Sequence, residues 1–326
     1  MKCLNKRFFS LALILILALS ISGCGGNDIS IPYGTLESNE DFNFVDSGQN
    51  QDIGLFAEDL CATDGDITDS STINLSDIYA AAVYDVTSNQ VLYSYNANIK
   101  INPASVTKIM TALIVLERCD LEATVKVDDV TINESGIQLF KLNEGDSINV
   151  RDLLTVMMVY SGNDCALAFA KYIAGSEEAF VDIMNEKAVE LGCTGTHFSN
   201  CMGITDEDHY TTAYDLYLIF NEVIKYDEFI TIINMPEYTC SYTSASGEYI
   251  TRTVASTNKF LTGEYTKPSN VTVIGGKTGT TNAAGKCLIL YSKDTNGNSY
   301  ISIIMGAEDE QALYTMMAQL CNETIY

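Results

Sequence analysis

The stretch IYAAAVYDVTSNQVLYSY, residues 78–95, contains two apolar runs rich in β-branched and aromatic residues. Ile78–Val86 and Val91–Tyr95 are separated by Thr-Ser-Asn-Gln, a composition typical of a turn, so the stretch predicts a β-hairpin. Comparable runs return near the other end of the sequence, at Val271–Gly275, Cys287–Ser292 and Tyr300–Met305. We therefore expect strands from both ends of the sequence to contribute to the fold.

The sequence between these strands is helical in its pattern of apolar residues. The first such stretch, Ser105–Glu117, follows Asn102-Pro103-Ala104, and the last lies near Asp309–Leu320. Further helical patterns lie between them, at Val150–Tyr160, Asp164–Ala174, Glu177–Leu191 and Ala213–Val223. Strands around a helical middle predict an α+β fold, in which an antiparallel sheet is flanked by helices and accompanied by a helical subdomain.

The composition excludes several classes of protein. With 47% hydrophobic residues and only 4 prolines in 326 residues, the sequence is neither disordered nor collagen-like. The net charge of −25 argues against a nucleic-acid partner, because affinity for a phosphate backbone comes from clustered lysines and arginines. Only two histidines are present, which leaves little room for a histidine-rich metal site.

The N-terminus has the pattern of an export signal. Lys2, Lys6 and Arg7 precede the apolar run Phe8–Ile21, which is shorter than the roughly 20 residues that a membrane-spanning helix needs. The run ends in Ile-Ser-Gly-Cys24, which resembles a bacterial lipobox. We expect residues 1–23 to be a lipoprotein signal peptide and Cys24 to carry a lipid that holds the exported protein on the outer face of the cell membrane. An ordinary secretory signal is the alternative.

Residues 24–75 are predicted to form an acidic flexible tether. From residue 25 onward the segment has eleven acidic residues and no lysine or arginine, so it would repel itself and stay extended. The hexapeptide Asp64–Asp69 begins like a calcium-binding loop but lacks its sixth-position glycine and its closing glutamate, so we reject that interpretation. A single catalytic domain is expected to occupy residues 76–326.

Eight cysteines remain after the signal peptide and Cys24. Cys165 and Cys287 lie in apolar runs, which favours buried free thiols. Cys193 and Cys201 could close a short disulfide loop in an exported protein, and the sequence leaves that pairing open.

Three short motifs follow one another along the predicted catalytic domain. In Ser105–Lys108, a hydroxyl and an amine three residues apart share one helix face, so the amine can activate the serine. Ser161–Asn163 lies in a glycine turn between two helical patterns and offers a second hydroxyl and an amide. Lys277–Gly279 follows a strand run, where a peptide could add as an extra strand. Each motif is weak alone.

Together and in this order, the motifs resemble the SxxK, SxN and KTG signature of the penicillin-binding proteins and serine β-lactamases. The surrounding residues resemble the low-molecular-mass D-alanyl-D-alanine carboxypeptidases. The residues that carry this closer resemblance are Asn102–Thr111, Tyr160–Ala166, Gly276–Thr281 with Ala284-Gly285, and more weakly Phe198–Gly203 and Ser256–Leu261. The resemblance runs from about Ile78 to the C-terminus and implies a β-lactamase/transpeptidase-like fold.

The resemblance also implies a mechanism. Ser105 would attack the carbonyl of the penultimate D-Ala of a peptidoglycan stem peptide, with Lys108 as its base, and water would release the acyl-enzyme. β-Lactam antibiotics would acylate the same serine, and no cofactor would be required. The remaining roles implied are proton transfer and substrate positioning by Ser161 and Asn163, carboxylate binding by Lys277 and Thr278 beside Gly279, and an oxyanion hole from the N–H groups of Ser105 and Thr280.

Four alternatives are weighed against this interpretation. A class A β-lactamase would carry a Glu-x-x-x-Asn segment between the second and third motifs. The counterpart here is Thr196–Asn200, which has threonine in place of the glutamate. A D,D-endopeptidase of the same fold remains open. A non-hydrolytic muropeptide-binding lipoprotein is disfavoured because the nucleophile, base and KTG residues are intact. A zinc site is disfavoured because glycines at positions 192, 195 and 203 break any common helical face of its candidate ligands, Cys193, His197, Cys201 and His209.

Overall fold

The computed structural model describes residues 59–63, 65–68, 72 and 74–326. The predicted signal peptide, Cys24 and most of the predicted tether therefore lie outside the described residues. Among the residues that are described, no helix has both the length and the apolar composition needed to cross a membrane.

The strands of the described chain form two antiparallel sheets. The larger sheet has the order β2-β1-β9-β8-β7 and the smaller one the order β3-β4-β5-β6. The strands are β1 (Ala80–Asp85), β2 (Gln90–Tyr95), β3 (Thr124–Lys126), β4 (Ser147–Asn149), β5 (Glu237–Thr243), β6 (Tyr249–Ala255), β7 (Thr272–Thr281), β8 (Gly285–Lys293) and β9 (Ser299–Ala307). The larger sheet thus joins the first two strands to the last three, and β7 is one of its two edges.

The helices cover both faces of the larger sheet. They are α1 (Lys108–Arg118), α2 (Val150–Val159), α3 (Asn163–Ala174), α4 (Glu177–Glu190), α5 (Ala213–Val223), α6 (Asp227–Ile233), α7 (Lys259–Thr262) and α8 (Glu310–Thr324). Short 3₁₀ turns occupy Leu75–Asp77 and Ala104–Thr107. The arrangement confirms the predicted α+β fold and the hairpin formed by β1 and β2.

Alternation along β1 explains why both faces of the sheet are covered. Ala80, Ala82 and Tyr84 point into a core shared with α1–α6, whereas Ala81 and Val83 point into a second core shared with α7 and α8. All five side chains are buried, so this strand reads as a continuous apolar run. The sheet is therefore the middle layer of the domain.

The structure departs from the sequence-based expectations in three places. Ser105 does not open a helix, because Ala104–Thr107 forms a 3₁₀ turn and α1 begins only at Lys108. The strand predicted at Val271–Gly275 extends to Thr281, since its backbone continues to pair with β8. The smaller sheet was not predicted, because β3 and β4 are three residues each and β5 is largely polar.

Contacts with the domain also begin before Ser76, inside the segment predicted as a tether. The side chain of Cys61 is fully buried, and its backbone N–H donates to the Tyr217 hydroxyl at 2.9 Å. Ile67 and Ser94 form a bridge with N···O distances of 2.7 and 3.0 Å. At least this part of the predicted tether therefore packs on the predicted catalytic domain.

Candidate active site

The turn that carries Ser105 packs between strand β7, at Gly279, and the loop that contains Gly203. Ala104 has a φ of +49°, a left-handed conformation that is unfavourable for a residue with a side chain. A Cβ placed on Gly203 would lie 1.9 Å from the carbonyl oxygen of Ala104, and one on Gly279 would lie 2.9 Å from that of Pro103. Only glycine at these two positions lets the turn approach β7 and the loop so closely.

Ser105 and Lys108 meet across this turn. A 3₁₀ turn has three residues per turn, so positions i and i+3 are nearly eclipsed. Lys108 Nζ donates to Ser105 Oγ at 3.1 Å, and also to Asn163 Oδ1 at 2.7 Å and the carbonyl of Met202 at 2.6 Å. The predicted pairing of Ser105 with Lys108 is therefore present, although the local structure differs from the predicted helix.

Burial alters the protonation of Lys108. Its side chain is 0% exposed, and desolvation lowers its pKa to about 8. In the neutral amine, the two N–H groups can donate to Asn163 Oδ1 and to the Met202 carbonyl, which leaves the lone pair directed at Ser105 Oγ. The geometry therefore suits Lys108 to accept a proton from Ser105.

The second motif is a strained turn at the start of α3. Ser161 has a φ of +68°, and Asn163 is the first residue of the helix. Asn163 is held by two bonds to the carbonyl of Gln138, one from its backbone N–H at 2.9 Å and one from Nδ2 at 3.0 Å. These bonds fix the amide so that Oδ1 faces Lys108.

The third motif connects β7 with the second. Lys277 is 1% exposed, and its Nζ donates to Ser161 Oγ at 2.8 Å and to the carbonyl of Thr278 at 2.9 Å. Burial lowers the pKa of Lys277 well below its usual value, and the nearby charge of Lys108 lowers it further. Two lysines with depressed pKa values thus contact the two serine hydroxyls of the site.

Thr278 and Thr280 lie along the same edge strand. The hydroxyl of Thr278 donates to that of Thr257 at 2.6 Å, and Thr280 is exposed. Both line a cleft of about 870 Å³ together with Ser105, Ser161, Asn163 and Gly279. The structure therefore brings the predicted residues together at one cleft: Lys108 and Lys277 are buried behind it and bonded to its serines.

Several residues that support this site were not singled out from the sequence as functional. Gln138 and Met202 contribute only backbone carbonyls, which carry no signal in the identity of the residue. Asp164 accepts from the backbone N–H groups of Phe140 and Leu142 at 2.8 and 3.0 Å, and so orders the loop that contains Gln138. Its position directly after Ser161–Asn163 is the one signal that could have pointed to it.

The histidine and cysteine residues weighed as zinc ligands are not arranged as a metal site. Within the described part of the chain, no group of three or more His, Cys, Asp or Glu side chains could hold a metal ion. His209 is buried and bonds to Thr107 and Ser199, whereas Cys193 and Cys201 are buried free thiols. Cys165 and Cys287 are also free and buried, as predicted.

Two antiparallel sheets with a helical layer, and a cleft in which buried Lys108 and Lys277 contact Ser105 and Ser161, define a DD-transpeptidase or penicillin-binding type of protein. The crystal structure of the Streptomyces K15 DD-transpeptidase superposes with a TM-score of 0.71 at 28% identity, and the match covers 79% of this chain and 99% of that one. A penicillin-binding protein homologue from Mycobacterium tuberculosis superposes with a TM-score of 0.67 at 28% identity, over 79% of this chain and 94% of that one.

The sequence comparisons specify the family. Residues 70–309 match the family model described as D-alanyl-D-alanine carboxypeptidase, so the chain belongs to that family. D-alanyl-D-alanine carboxypeptidase DacF of Bacillus subtilis is 35% identical over 238 residues, 70% of this chain, and DacD of Escherichia coli is 33% identical over 234 residues, 69% of this chain. The chain spans 57% of the length of each of these curated relatives. The resemblance read from the motifs is confirmed.

Proposed function

We propose that this chain is a serine D,D-carboxypeptidase that removes the terminal D-Ala from peptidoglycan stem pentapeptides. The observation that carries the proposal is the contact between Lys108 Nζ and Ser105 Oγ, 3.1 Å apart at the base of the cleft. Membership of the family and the similarity to the curated carboxypeptidases support the choice of substrate.

The first chemical step is acylation. Neutral Lys108 takes the hydroxyl proton of Ser105, whose Oγ forms a bond with the carbonyl carbon of the penultimate D-Ala. The N–H groups of Ser105 and Thr280 stabilise the negative oxygen that develops. The bond to the leaving nitrogen then breaks, and this nitrogen receives the proton that Lys108 took from Ser105, passed on through the hydroxyl of Ser161, which Lys277 holds at 2.8 Å. Lys108 is thereby neutral again. D-Alanine departs and the acyl-enzyme remains on Ser105.

The second step is hydrolysis of the ester. A water molecule loses a proton to the Lys108 amine and its oxygen attacks the acyl carbon, after which the proton returns to Ser105 Oγ as the ester bond breaks. β-Lactam antibiotics would enter by the same first step and acylate Ser105. Asn163, which positions Lys108, would also position the substrate backbone.

The class A β-lactamase alternative lacks support at the position where its glutamate would be. Thr196 donates its hydroxyl to Asp215 Oδ2 at 2.6 Å and is not among the residues that line the cleft. Nothing at this position would activate a water molecule for rapid release of penicillin. A D,D-endopeptidase would use the same acylation chemistry, so it differs only in the substrate accepted.

We also propose that the protein is exported and held by a lipid on Cys24 at the outer face of the bacterial cell membrane. The signal-like residues 1–23 and the lipobox resemblance support this location. Replacement of Cys24 by alanine is expected to release the protein from the membrane fraction. Retention of the Cys24→Ala protein in washed membranes would contradict the anchor.

The activity is tested with the chain that begins at residue 25 and with diacetyl-L-Lys-D-Ala-D-Ala as substrate. D-Alanine release should occur with this protein and with Ser88→Ala, an exposed serine in the β1–β2 turn, and should be lost in Ser105→Ala. Fluorescent penicillin labelling without release of D-alanine would favour an endopeptidase or a binding protein. The absence of both labelling and release would reject the proposal.

A further inference from the structure

The open part of the cleft is lined by two lysines that differ in their partners. Lys259 forms ion pairs with Glu310 at 2.6 Å and with Glu264 at 3.2 Å, so its charge is neutralised. Lys286 is half-buried and its side chain makes no hydrogen bond or ion pair with any residue in the described part of the chain. An unpaired cation in this cleft is notable because the whole chain has a net charge of −25.

The register of the sheet places Lys286 beside the third motif. Lys286 is the cross-strand partner of Thr280 in the antiparallel pair of β7 and β8. Directly opposite residues share a face of the sheet, and alternate residues of a strand share it too. Lys286 therefore lies on the same face as Thr280 and Thr278, whereas Lys277 lies on the opposite face, towards Ser161.

The two residues that the motifs suggested for carboxylate binding are already engaged. Lys277 is almost completely buried and bonded to Ser161 and to the Thr278 carbonyl. Thr278 donates its hydroxyl proton to Thr257 at 2.6 Å. A carboxylate that enters the cleft needs an accessible, positively charged hydrogen-bond donor, because desolvating an unpaired anion is costly. Of the lysines at the cleft, Lys286 meets that need.

We propose that Lys286 binds the terminal carboxylate of the substrate and so sets the preference for a free C-terminus. The inference rests on the proposed carboxypeptidase function, because it takes the scissile bond to lie at Ser105. Gly279 packs against the Ser105 turn, and an extended residue spans only about 3.3 Å. Lys286 is paired with Thr280, which directly follows Gly279, and it lines the same cleft as Ser105.

The experiment compares a free acid with an amide. Equilibrium binding of diacetyl-L-Lys-D-Ala-D-Ala and of its C-terminal amide is measured by calorimetry in the Ser105→Ala chain, so that no turnover occurs. Lys286→Gln is expected to weaken binding of the acid about 10- to 100-fold and to leave the amide unchanged. Lys286→Arg should keep the preference for the acid, since it keeps the charge.

Lys293→Gln is the matched control. Lys293 lies at the other end of β8, is also half-buried and does not line the cleft. Its replacement by glutamine removes the same charge as Lys286→Gln does. It should leave the binding of both ligands unchanged. An effect of Lys286→Gln that is equal for acid and amide, or a parent chain with no preference for the acid, would overturn the inference.

Release of D-alanine by the chain that retains Ser105 distinguishes a failure of the Lys286 proposal from a failure of the proposed carboxypeptidase function. If release occurs and Lys286→Gln leaves the acid preference intact, the role of Lys286 is wrong and the carboxypeptidase function stands. If no release occurs but the preference for the acid depends on Lys286, the carboxylate site stands and the proposed reaction is wrong.

Discussion

At the scale of single residues, Lys108 shows how burial changes the chemistry of a side chain. Its pKa is lowered to about 8, chiefly by desolvation. Only the neutral amine accepts the Ser105 proton, so penicillin acylation is expected to accelerate up to about tenfold per pH unit below pH 8 and to level off above it. Stopped-flow fluorescence between pH 6 and 10 measures this profile.

The control for this profile is Lys108→Arg, because a guanidinium keeps the positive charge but does not titrate in this range. Acylation should fall by about 10²- to 10⁴-fold, the range typical for loss of a general base. A rate that stays constant with pH in the parent chain would exclude Lys108 as the base.

His209 is a second buried base, and its hydrogen bonds fix its tautomer. The backbone N–H of Ser199 donates to Nδ1 at 3.0 Å, so the proton resides on Nε2, which donates to Thr107 Oγ1 at 2.8 Å. Thr107 in turn donates to the carbonyl of Ala104 at 2.8 Å. Neutral His209 therefore supports the strained turn that precedes the nucleophile.

Protonation of His209 is expected to destabilise the protein in mildly acidic solution. Burial lowers its pKa to about 4, against the opposing charge of Asp206, whereas the unfolded chain titrates near 6.5. The unfolded state binds more protons between these values, so about 3 kcal/mol of stability should be lost as the pH falls from about 6.5 to about 4.

Urea unfolding across this pH range measures the effect in the parent, in His209→Gln and in His197→Gln. Burial lowers the His209 pKa more than the nearby charge of His197 does, so His197→Gln should keep most of the pH dependence. His209→Gln should be less stable near pH 7 and should lose less stability on acidification. Equal slopes in all three proteins would show that His209 is not held neutral.

At the scale of secondary structure, apolar periodicity predicts the elements that form the larger sheet and its helices. Val150–Tyr160 and Ala213–Val223 were predicted within one residue of α2 and α5, because each has a continuous buried stripe. The β5–β6 hairpin was missed because its strands alternate polar and half-buried residues over a small core. The periodicity of apolar residues reflects burial, and few residues of these two strands are buried.

The active site likewise contains groups that the sequence predicts and groups that it does not. The side chains of Ser105, Lys108 and Lys277 are visible in the sequence as short motifs. The carbonyls of Gln138 and Met202 are not, because a backbone group has no residue signature and its position depends on a distant loop. Motifs thus predict which groups react, and the structure is needed to see what orients them.

The packing of the Ser105 turn against a glycine loop gives a test at this scale. Gly203 and Gly297 have φ values of +90° and +89°, so alanine costs about 1–2 kcal/mol in backbone strain at either position. A Cβ on Gly203 also meets the Ala104 carbonyl at 1.9 Å, whereas one on Gly297 meets nothing within 4 Å.

Gly203→Ala is therefore expected to destabilise the protein by more than Gly297→Ala does and to abolish D-alanine release, since Ala104 must move and carries Ser105 with it. Gly297→Ala should lose only the strain energy and keep its activity. Unfolding by urea and the release assay separate the two effects. Full activity in a folded Gly203→Ala protein would show that the turn tolerates displacement.

At the scale of the whole molecule, the sheet explains why residues far apart in sequence meet. Strand β1 pairs with both β2 and β9, so the last three strands return beside the first two and bring Lys277 to Ser161, in the turn before α3. The sequence indicates this closure through its distribution of strand patterns. It does not show where the domain begins, because residues 59–68 carry little apolar character.

The N-terminal boundary is the last feature that the structure makes testable. Cys61 is fully buried against Tyr217, Ile67 bridges Ser94, and the hydroxyl of Thr72 donates to Glu323 at 2.7 Å. A chain that begins at residue 76 loses these contacts, so its free energy of unfolding should fall by about 1–3 kcal/mol relative to a chain that begins at residue 25. A chain that begins at residue 54 retains them and should be more stable than the chain that begins at residue 76. Equal stability of all three in urea would place the boundary of the folded domain at residue 76, as the charge pattern predicts.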